Sequence, residues 1–255
     1  MIRLENLTKQ FGDLVAVNGL SLDVPAGEFF VFLGPNGAGK TTTIKLITGL
    51  LRPTSGRVLL NGHDMEQDYI AAKSLLSYVP DQPFLYEKLT GREFLEFVAA
   101  MYGLEDALAA ERIGTLSELF ETTDFLDELG ETYSHGMKQR VVISSALLHD
   151  PKVLVIDEPM VGLDPKGANT LKSVLRDRAD AGAAVFMSTH TLAVAEETAD
   201  RVGIIRDGTL IALGTLDDIY AAAHTDRQLE QAFLRLTEEG DLTGVPSPCG
   251  SSPSS

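Results

Sequence analysis

Residues 29–41 read FFVFLGPNGAGKT, and this run carries most of the information about the architecture. Its first five residues are all apolar, which predicts a buried strand over Phe29–Leu33. Its last eight match the pattern GxxxxGK[ST], in which a glycine-rich loop joins a strand to a helix. Helical character follows over Thr41–Leu51, so the pattern has both of the flanks that it requires. We therefore expect this loop to lie at the edge of an α/β sheet.

The loop 34–41 predicts a phosphate-binding site. Backbone N–H groups of such a loop converge on phosphate oxygens, and the N-terminus of the following helix adds partial positive charge. We expect Lys40 to reach the β- and γ-phosphates of a nucleotide and the Thr41 hydroxyl to ligate Mg²⁺. The candidate phosphate-binding residues are Gly34, Pro35, Asn36, Gly37, Ala38, Gly39, Lys40, Thr41 and Thr42.

A second apolar strand ends in two acids. Residues 152–158 read KVLVIDE, which predicts a buried strand over Val153–Ile156 with Asp157 and Glu158 at its carboxyl end. Ligands of open α/β sheets bind at that end of the strands. Two such acids alone are typical of a solvated strand end, but after a phosphate loop they favour catalysis. Asp157 is expected to hold Mg²⁺ through water, and Glu158 to polarise the attacking water as general base.

The remaining chain alternates strands with helices, which predicts an α/β fold. The strands are predicted at Ile2–Leu7, Val15–Val24, Gly56–Asn61, Ala184–Met187, Val202–Ile205 and Thr209–Leu213. The helices are predicted at Arg92–Tyr102, Met137–Leu148, Thr170–Ala181 and Leu192–Thr198, with amphipathic helices in the acidic stretch 104–131.

Residues 133–137, YSHGM, resemble the signature LSGGQ of ATP-binding cassette (ABC) transporter nucleotide-binding subunits. The resemblance to this family runs from about Ile2 to Gly214. It implies that Ser134 and Gly136 donate hydrogen bonds to the γ-phosphate of ATP bound to an opposite subunit. Without the other motifs, Ser134 would simply cap the following helix. At His135, which replaces a glycine, a steric substitution and a pH response both remain open.

Further residues match family motifs in the expected order. The resemblance implies that Asp164, in the D-loop 162–164, connects the two sites across a dimer. It implies that His190 is the switch histidine that contacts the γ-phosphate. Phe11 occupies the place of the aromatic residue that stacks on adenine, a role that needs only a flat ring.

The glutamine loop is the least regular match. Residues 78–86, YVPDQPFLY, resemble it, but the family's glutamine aligns with Asp81, and Gln82 follows one residue later. Either the loop is shifted or a carboxylate acts on Mg²⁺ and water, since a carboxylate is a competent magnesium ligand. Asp81 and Gln82 are therefore both candidate metal-site residues.

The resemblance also implies the domain plan. We expect a P-loop NTPase (RecA-like) core with an N-terminal antiparallel β subdomain and an inserted α-helical subdomain at about 84–149. Together they form an ABC ATPase domain over 1–215. A C-terminal helical extension is expected over 216–236. Residues 237–255 end in GVPSPCGSSPSS, a composition typical of a disordered tail.

The resemblance implies an ATPase subunit, with ATP and Mg²⁺, that energises transport through separate membrane-spanning subunits, most like the exporting branch. Its expected partners are a second nucleotide-binding subunit, in a homo- or heterodimer, and integral membrane permease subunits docked on the helical insertion. The alternative is a soluble ABC-type ATPase acting on DNA or ribosomes. An ordinary P-loop kinase or GTPase is disfavoured by the signature and by the absence of an NKxD motif.

Composition bears on location and partners. The net charge is -16, from 21 basic and 37 acidic residues, which argues against nucleic-acid binding. The acids concentrate in 104–131 and 216–255, so the rest of the chain carries only about -3. The acids of 104–131 either form a solvated face or select a basic loop on a membrane partner. No signal peptide or membrane-length apolar run is seen, and Cys249 is the single cysteine. We expect a cytoplasmic protein, peripheral on the inner face of the membrane through its permease.

Overall fold

A computed structural model describes residues 1–225 and 228–238. The predicted disordered tail falls almost entirely outside these residues. Only Thr237 and Glu238 are covered, and both belong to a helix, so the prediction of a tail starting at residue 237 was wrong for these two positions.

The described residues form ten strands and nine α-helices. The strands are β1 (Ile2–Phe11), β2 (Leu14–Val24), β3 (Phe29–Leu33), β4 (Ser55–Leu60), β5 (His63–Asp64), β6 (Leu76–Val79), β7 (Val153–Asp157), β8 (Ala184–Ser188), β9 (Arg201–Arg206) and β10 (Thr209–Gly214). The helices are α1 (Lys40–Ile47), α2 (Tyr69–Ser74), α3 (Gly91–Met101), α4 (Asp106–Leu119), α5 (His135–Leu147), α6 (Pro165–Asp180), α7 (Leu192–Thr198), α8 (Leu216–Ala222) and α9 (Leu229–Glu238). Not one of these helices combines the length and apolar character needed to cross a bilayer.

Two sheets make up the core. One is a four-stranded antiparallel sheet of order β2-β1-β4-β5. The other has six strands in the order β10-β9-β3-β8-β7-β6, all parallel except for the antiparallel edge strand β10. The predicted class, an α/β P-loop core with an N-terminal antiparallel subdomain and inserted helices, is confirmed.

The alternation of side chains along β3 places this strand between two hydrophobic cores. All five of its residues are buried. Phe30 and Phe32 face the core that lies against the antiparallel sheet. Within this core their rings lie 5.4 Å and 5.3 Å from that of Phe186 in β8. Phe29, Val31 and Leu33 point to the opposite face, into the core formed with the helices. Since successive strand residues point to opposite faces, an uninterrupted apolar run is what such a position requires.

Three helices, α3, α4 and α5, lie in the segment expected to be a helical insertion. Thr90 caps α3 in a capping box with Glu93. Tyr133, which replaces the leucine of the family signature, connects the segment before α5 with Phe125 and with the start of α3. Its hydroxyl donates to the Phe125 carbonyl at 2.7 Å and accepts from the Gly91 N–H at 3.1 Å. A leucine has no group that could make these two hydrogen bonds.

Several elements differ from the sequence prediction. Helix α6 begins at Pro165, five residues before the predicted start, because Asp164 caps it and proline suits the first turn. The predicted C-terminal extension consists of two helices, and α9 extends beyond residue 236 to Glu238. His224 follows α8 with a φ of 51°, a backbone conformation that does not continue a helix. The short elements β5, α2 and β6 were not predicted as such.

The acidic stretch 104–131 is more than a solvated face. Three of its acids pair with bases from outside the stretch. Arg92 forms a salt bridge with Asp127 at 2.6 Å, and Lys88 forms one with Glu131 at 2.5 Å. Glu121 pairs with Lys166 of α6 and lies 3.4 Å from Arg140 of α5. Exposed ion pairs contribute little stability, but these link the stretch to neighbouring segments.

His149, just beyond α5, stacks on Tyr102 at the end of α3, with ring centroids 3.5 Å apart. Burial lowers the pKa of His149 to about 4, against the opposing effect of Asp150. The unfolded chain therefore takes up a proton near pH 6.5 that the folded chain does not accept until about pH 4. Stability conferred by the neutral ring is present above pH 6.5 and is lost as the pH falls through this window.

Because of this histidine, we expect the free energy of unfolding to fall by about 2 kcal/mol when the pH is lowered from 7 to 4, after allowance for its partial exposure. His149→Phe keeps a ring on Tyr102 and removes the titration. Denaturant unfolding of both proteins across this pH range isolates the effect, since the other groups are shared. Parallel stability curves for the two proteins would contradict it.

Candidate nucleotide site

Four neighbouring parallel strands end at one edge of the larger sheet. In the order β3-β8-β7-β6, they are followed by the loop 34–39, by His190, by Glu158 and by Asp81. The carboxyl ends of parallel strands meet at the same edge, so residues distant in sequence are brought together there. Because β6 was not predicted as a strand, the sequence did not indicate why Asp81 belongs to this group.

The glycine-rich loop adopts a conformation that only glycine allows at one key point. Gly39, immediately before α1, has a φ of 109°, and a methyl group there would overlap the Ala16 carbonyl oxygen. Ala38 is buried, while Asn36 and Gly37 are exposed beside the entrance to the helix. The backbone of the loop and the N-terminus of α1 therefore face solvent at this edge of the sheet, as an anion site requires.

Lys40 is held in the centre of this loop. Its side-chain Nζ donates to the carbonyl oxygens of Gly34 at 2.6 Å and Pro35 at 3.2 Å. Burial lowers the pKa of the Lys40 ammonium, and the nearby charges of Glu158 and Asp157 act in the opposite direction. The Lys40 ammonium supplies positive charge for a phosphate, whereas the two nearby carboxylates oppose the binding of an anion and favour a cation beside it.

Asp157 is 1% exposed at the end of β7. Burial raises the pKa of its carboxyl, while hydrogen bonds from Ser188 and Thr41 act to lower it and the negative charge of Asp81 adds to the rise. Its Oδ1 accepts from the Ser188 hydroxyl, but its Oδ2 is buried without a hydrogen bond from any described residue. A carboxylate with one orphaned oxygen beside a threonine hydroxyl fits a magnesium ion.

Glu158 is held at both carboxylate oxygens. His190 Nδ1 lies 2.8 Å from Oε1, and the Thr189 hydroxyl donates to Oε2 at 3.3 Å. The Glu158 backbone has a φ of 48°, uncommon for a residue with a side chain, and its N–H donates to the Ser188 carbonyl. Such strained conformations cluster at functional sites. The side chain is only 17% exposed, whereas His190 is 63% exposed.

A cleft of about 1020 Å³ brings the predicted residues together. Phe11 lies at one end, 46% exposed, with Lys9 Nζ 5.0 Å from its ring centre. The predicted residues that line the cleft are Phe11, Asn36, Gly37, Gly39, Lys40, Thr41, Thr42, Asp81, Gln82, Asp157, Glu158 and His190. Gly34, Pro35 and Ala38 do not line the cleft; Gly34 and Ala38 are buried and Pro35 is exposed.

The two candidates of the glutamine loop both face the cleft and are exposed. Asp81 Oδ1 accepts from the Gln82 backbone N–H at 2.9 Å. The Asp81 charge contributes to the raised pKa of Asp157.

Ser134, Gly136 and Asp164 do not line this cleft. Ser134 caps α5 and accepts from the Met137 N–H at 3.3 Å. Asp164 caps α6 and accepts from Arg140 at 2.7 Å. Ser134 and Asp164 therefore act as helix caps in this chain, while Gly136 packs against the Gly162 carbonyl oxygen.

Some residues at the site were not found from the sequence. The Ser188 hydroxyl donates to Asp157 and the Thr189 hydroxyl to Glu158, and Leu14 and Ala16 extend the wall next to Phe11. The cleft is also lined by Pro83, Tyr133, His135, Lys138 and Val161. The two hydroxyl-bearing residues, Ser188 and Thr189, directly precede His190, and this position was a usable sequence signal. Leu14 and Ala16 belong to the antiparallel sheet, and only the folded arrangement of the two sheets places them at the cleft.

A family model described as ABC transporter matches residues 17–161. The chain belongs to the ABC transporter family. The matched segment includes the glycine-rich loop, the β7 acids and the signature-like residues, so it covers most of the geometry described above.

Characterised relatives agree with this assignment. The linearmycin resistance ATP-binding protein LnrL of Bacillus subtilis is 38% identical over 94% of this chain and 76% of its own length. The probable multidrug ABC transporter ATP-binding protein YbhF of Escherichia coli is 37% identical over 94% of this chain. This chain spans only 42% of the length of YbhF.

Solved structures of cassettes match the fold. A structure described as the ATP-binding subunit of an ABC transporter has a TM-score of 0.89 at 34% identity, covering 92% of this chain and 99% of that one. The cassette MJ0796, in a dimeric post-hydrolysis state bound to ADP and Pi, has a TM-score of 0.77 at 25% identity over 84% of this chain and 98% of that one.

Proposed function

We propose that this chain binds and hydrolyses ATP and energises transport through separate membrane-spanning subunits. The observation that carries the proposal is the convergence of Lys40, Asp157 and the paired Glu158 and His190 in one cleft. Membership in the ABC transporter family supports it. The purified chain is expected to bind ATP and release phosphate in a magnesium-dependent manner. Absence of both would overturn the proposal.

The residues support a direct attack of water on the γ-phosphorus of ATP. Glu158 accepts a proton from the water as its oxygen forms the new bond, and the bond to the leaving ADP oxygen breaks. Lys40 and the loop N–H groups neutralise charge on the phosphates. His190, which lies against Glu158, would contact the γ-phosphate. The products are ADP, inorganic phosphate and a proton.

The Thr41 hydroxyl and Asp157, together with Asp81 or Gln82, would hold the magnesium ion. When bound there, Mg²⁺ would neutralise charge on the β- and γ-phosphates. We assign the glutamine-loop role to Asp81, because a carboxylate is a competent magnesium ligand and its charge lies close enough to act on Asp157.

Asp81→Asn is accordingly expected to raise the half-saturating Mg²⁺ concentration for ATP hydrolysis by about tenfold. Gln82→Glu, which keeps the size of the neighbouring side chain and adds a charge, serves as the matched comparison and is expected to lower it or leave it unchanged. A magnesium titration of phosphate release measures both. Equal magnesium dependence of Asp81→Asn and the unmodified chain would contradict the assignment to Asp81.

The proposed active unit is a dimer, either of two such chains or of this chain with a similar subunit. Ser134, Gly136 and Asp164 do not line their own chain's cleft, whereas Tyr133, His135 and Lys138 do, and we assign the first three to the site of a partner. ATP between two chains then acts as the bond that closes the dimer, and hydrolysis removes it. The dimeric post-hydrolysis state of MJ0796 supports this arrangement.

An exposed aromatic cluster beside the cleft is proposed to receive the membrane subunits. Phe84, two residues after Gln82, is 67% exposed and meets Tyr86 edge-on at 5.6 Å. Tyr86 in turn meets Phe97 of α3 at 5.9 Å. Exposed apolar surface of this kind marks an interaction site. Its position next to Asp81 would connect a docked partner to the nucleotide.

This placement implies a chain on the cytoplasmic face of the membrane, held there by its permease. Cell fractionation is expected to recover it with membranes and, after detergent extraction, with a polytopic membrane protein. A pool bound to ribosomes or DNA would instead support the alternative weighed from the sequence. The name of YbhF, which includes ABC transporter, favours transport over that alternative. The term multidrug in the name of YbhF and the term resistance in that of LnrL favour export.

A further inference from the structure

The short helix α7 is joined directly to the residues that hold Glu158. His190 precedes the first residue of this helix, Leu192, and the residue between them, Thr191, is its N-cap. The Thr191 N–H donates to the Thr189 hydroxyl at 3.0 Å, and that hydroxyl donates to the Glu158 carboxylate. A displacement of α7 therefore moves both side chains that contact the general-base candidate.

Helix α7 depends on its neighbours for its position. It contains seven residues, and isolated helices of this length are marginal in water. It packs against β3 and against the C-terminal helix α9. Ala195 of α7 is fully buried in the same hydrophobic core as Leu229 and Ala232 of α9. The C-terminal extension thus supports the element that directly follows His190.

Glu196 of α7 makes the polar connection to this extension. Its Oε1 accepts from the backbone N–H of Leu229, the first residue of α9, at 3.0 Å. The same oxygen accepts from the Tyr220 hydroxyl of α8 at 3.3 Å. A carboxylate at the start of a helix is favourable, because it satisfies an N–H that has no partner within the helix and faces the positive end of the helix dipole. One side chain of α7 therefore bonds to both helices of the extension.

The opposite end of α9 is anchored near the phosphate loop. The Arg206 guanidinium, at the end of β9, donates to the carbonyl of Thr237 in the last turn of α9 at 3.0 Å. Two residues after Arg206, the Gly208 N–H donates to the Ala38 carbonyl of the glycine-rich loop at 2.9 Å. Helix α9 thus connects the element that follows His190 to a hairpin bonded to the phosphate loop. Because both of its ends are held, it resists a displacement of α7 relative to that loop.

We propose that Glu196 is a positioning residue for hydrolysis, which holds α7 against the C-terminal helices and thereby holds His190 and Thr189 against Glu158. The inference rests on the proposed ATPase activity, in which Glu158 is the general base. Glu196 does not line the nucleotide cleft. Its loss is therefore expected to slow the chemical step, through misplaced groups at Glu158, and to leave ATP binding unchanged.

Three variants test this role. Glu196→Ala removes the acceptor of both hydrogen bonds and preserves helix propensity. Glu196→Gln keeps a carbonyl oxygen that can accept them, so it separates the hydrogen bonds from the charge. Glu197→Ala is the matched control, since it makes the same change at the next residue of α7, whose carboxylate forms an exposed ion pair with Lys172 of α6. Circular dichroism confirms that each variant is folded.

The readouts are kcat and KM for ATP, from steady-state phosphate release, and amide hydrogen exchange over residues 189–198. We expect Glu196→Ala to lower kcat by about tenfold and to change KM by less than about twofold. Glu196→Gln and Glu197→Ala are expected to remain within about twofold of the unmodified chain. Faster exchange over residues 189–198 is expected in Glu196→Ala and not in the other two variants.

A double-mutant cycle with His190→Ala separates positioning from general destabilisation. Because Glu196 acts through the segment that contains His190, adding Glu196→Ala to His190→Ala is expected to lower kcat by less than about threefold further. A substitution that only destabilises the fold would cost the same factor in both backgrounds. A further tenfold loss in the His190→Ala background would therefore contradict the positioning role.

The remaining outcomes separate this inference from the proposed function. Unchanged kcat in Glu196→Ala overturns the inference alone, because the unmodified chain still hydrolyses ATP. An equal loss of kcat in Glu197→Ala also overturns it, since any change on α7 would then have the same effect. If the unmodified chain releases no phosphate, the proposed function is wrong and the inference falls with it.

Discussion

Replacing Glu158 by glutamine is expected to lower ATP turnover by about 10³-fold and to leave ATP binding unchanged. Glutamine keeps the shape of the side chain and its contact with Thr189, but it has no carboxylate to accept the proton of the attacking water. Lys40 and the glycine-rich loop, which hold the phosphates, are not altered. Phosphate release under single-turnover conditions measures the chemical step, and calorimetry measures ATP affinity.

Glu118→Gln is the matched control for this loss, because it makes the same chemical change at an exposed position of α4 that does not line the cleft. It is expected to retain full turnover. If Glu158→Gln hydrolysed ATP within about threefold of the unmodified chain, Glu158 would not be the general base. Parallel loss of ATP binding would instead indicate that Glu158 supports the loop.

Lys40→Met is expected to weaken ATP binding by about 100-fold. Methionine fills much of the same volume but removes the charged hydrogen bonds to the phosphates, which together are worth about 3 kcal/mol. The effect on folding is expected to be small. The lost hydrogen bonds to the carbonyls of Gly34 and Pro35 are offset by no longer burying an ammonium whose pKa burial already lowers.

Lys45→Met, one and a half turns along the same helix and exposed, is the corresponding control. It tests whether loss of any positive charge from α1 is enough to weaken binding, and we expect less than about a twofold change. Equal affinities of Lys40→Met and Lys45→Met would remove Lys40 from the phosphate site. Calorimetric titration with ATP distinguishes the outcomes.

The sequence predicts the core and its chemistry well where the signal is local. The five consecutive apolar residues of β3 define a strand buried on both faces, and the loop that follows has fixed spacing. Asp157 and Glu158 are found because they end another such strand. In each case, neighbouring residues alone carry the pattern, so no knowledge of the folded arrangement is needed.

Features that depend on distant segments were missed. Strand β6 has only four residues and is recognised by its pairing with β7. Glu121 was expected on a solvated face or opposite a basic loop of a membrane partner, whereas it pairs with Lys166, which is 45 residues away. The early start of α6 was a different kind of miss. Asp164 followed by Pro165 is a local helix-start signal, but Asp164 was assigned only to the D-loop.

The central claim is that ATP is held between two chains and hydrolysed there. Light scattering of Glu158→Gln with ATP and Mg²⁺ tests this most directly, because the variant is expected to trap the closed state. We predict a mass of about twice the 27.5 kDa of the chain with ATP, and 27.5 kDa without it or when Lys40→Met is added. A mass of 27.5 kDa at saturating, demonstrably bound ATP would contradict the account.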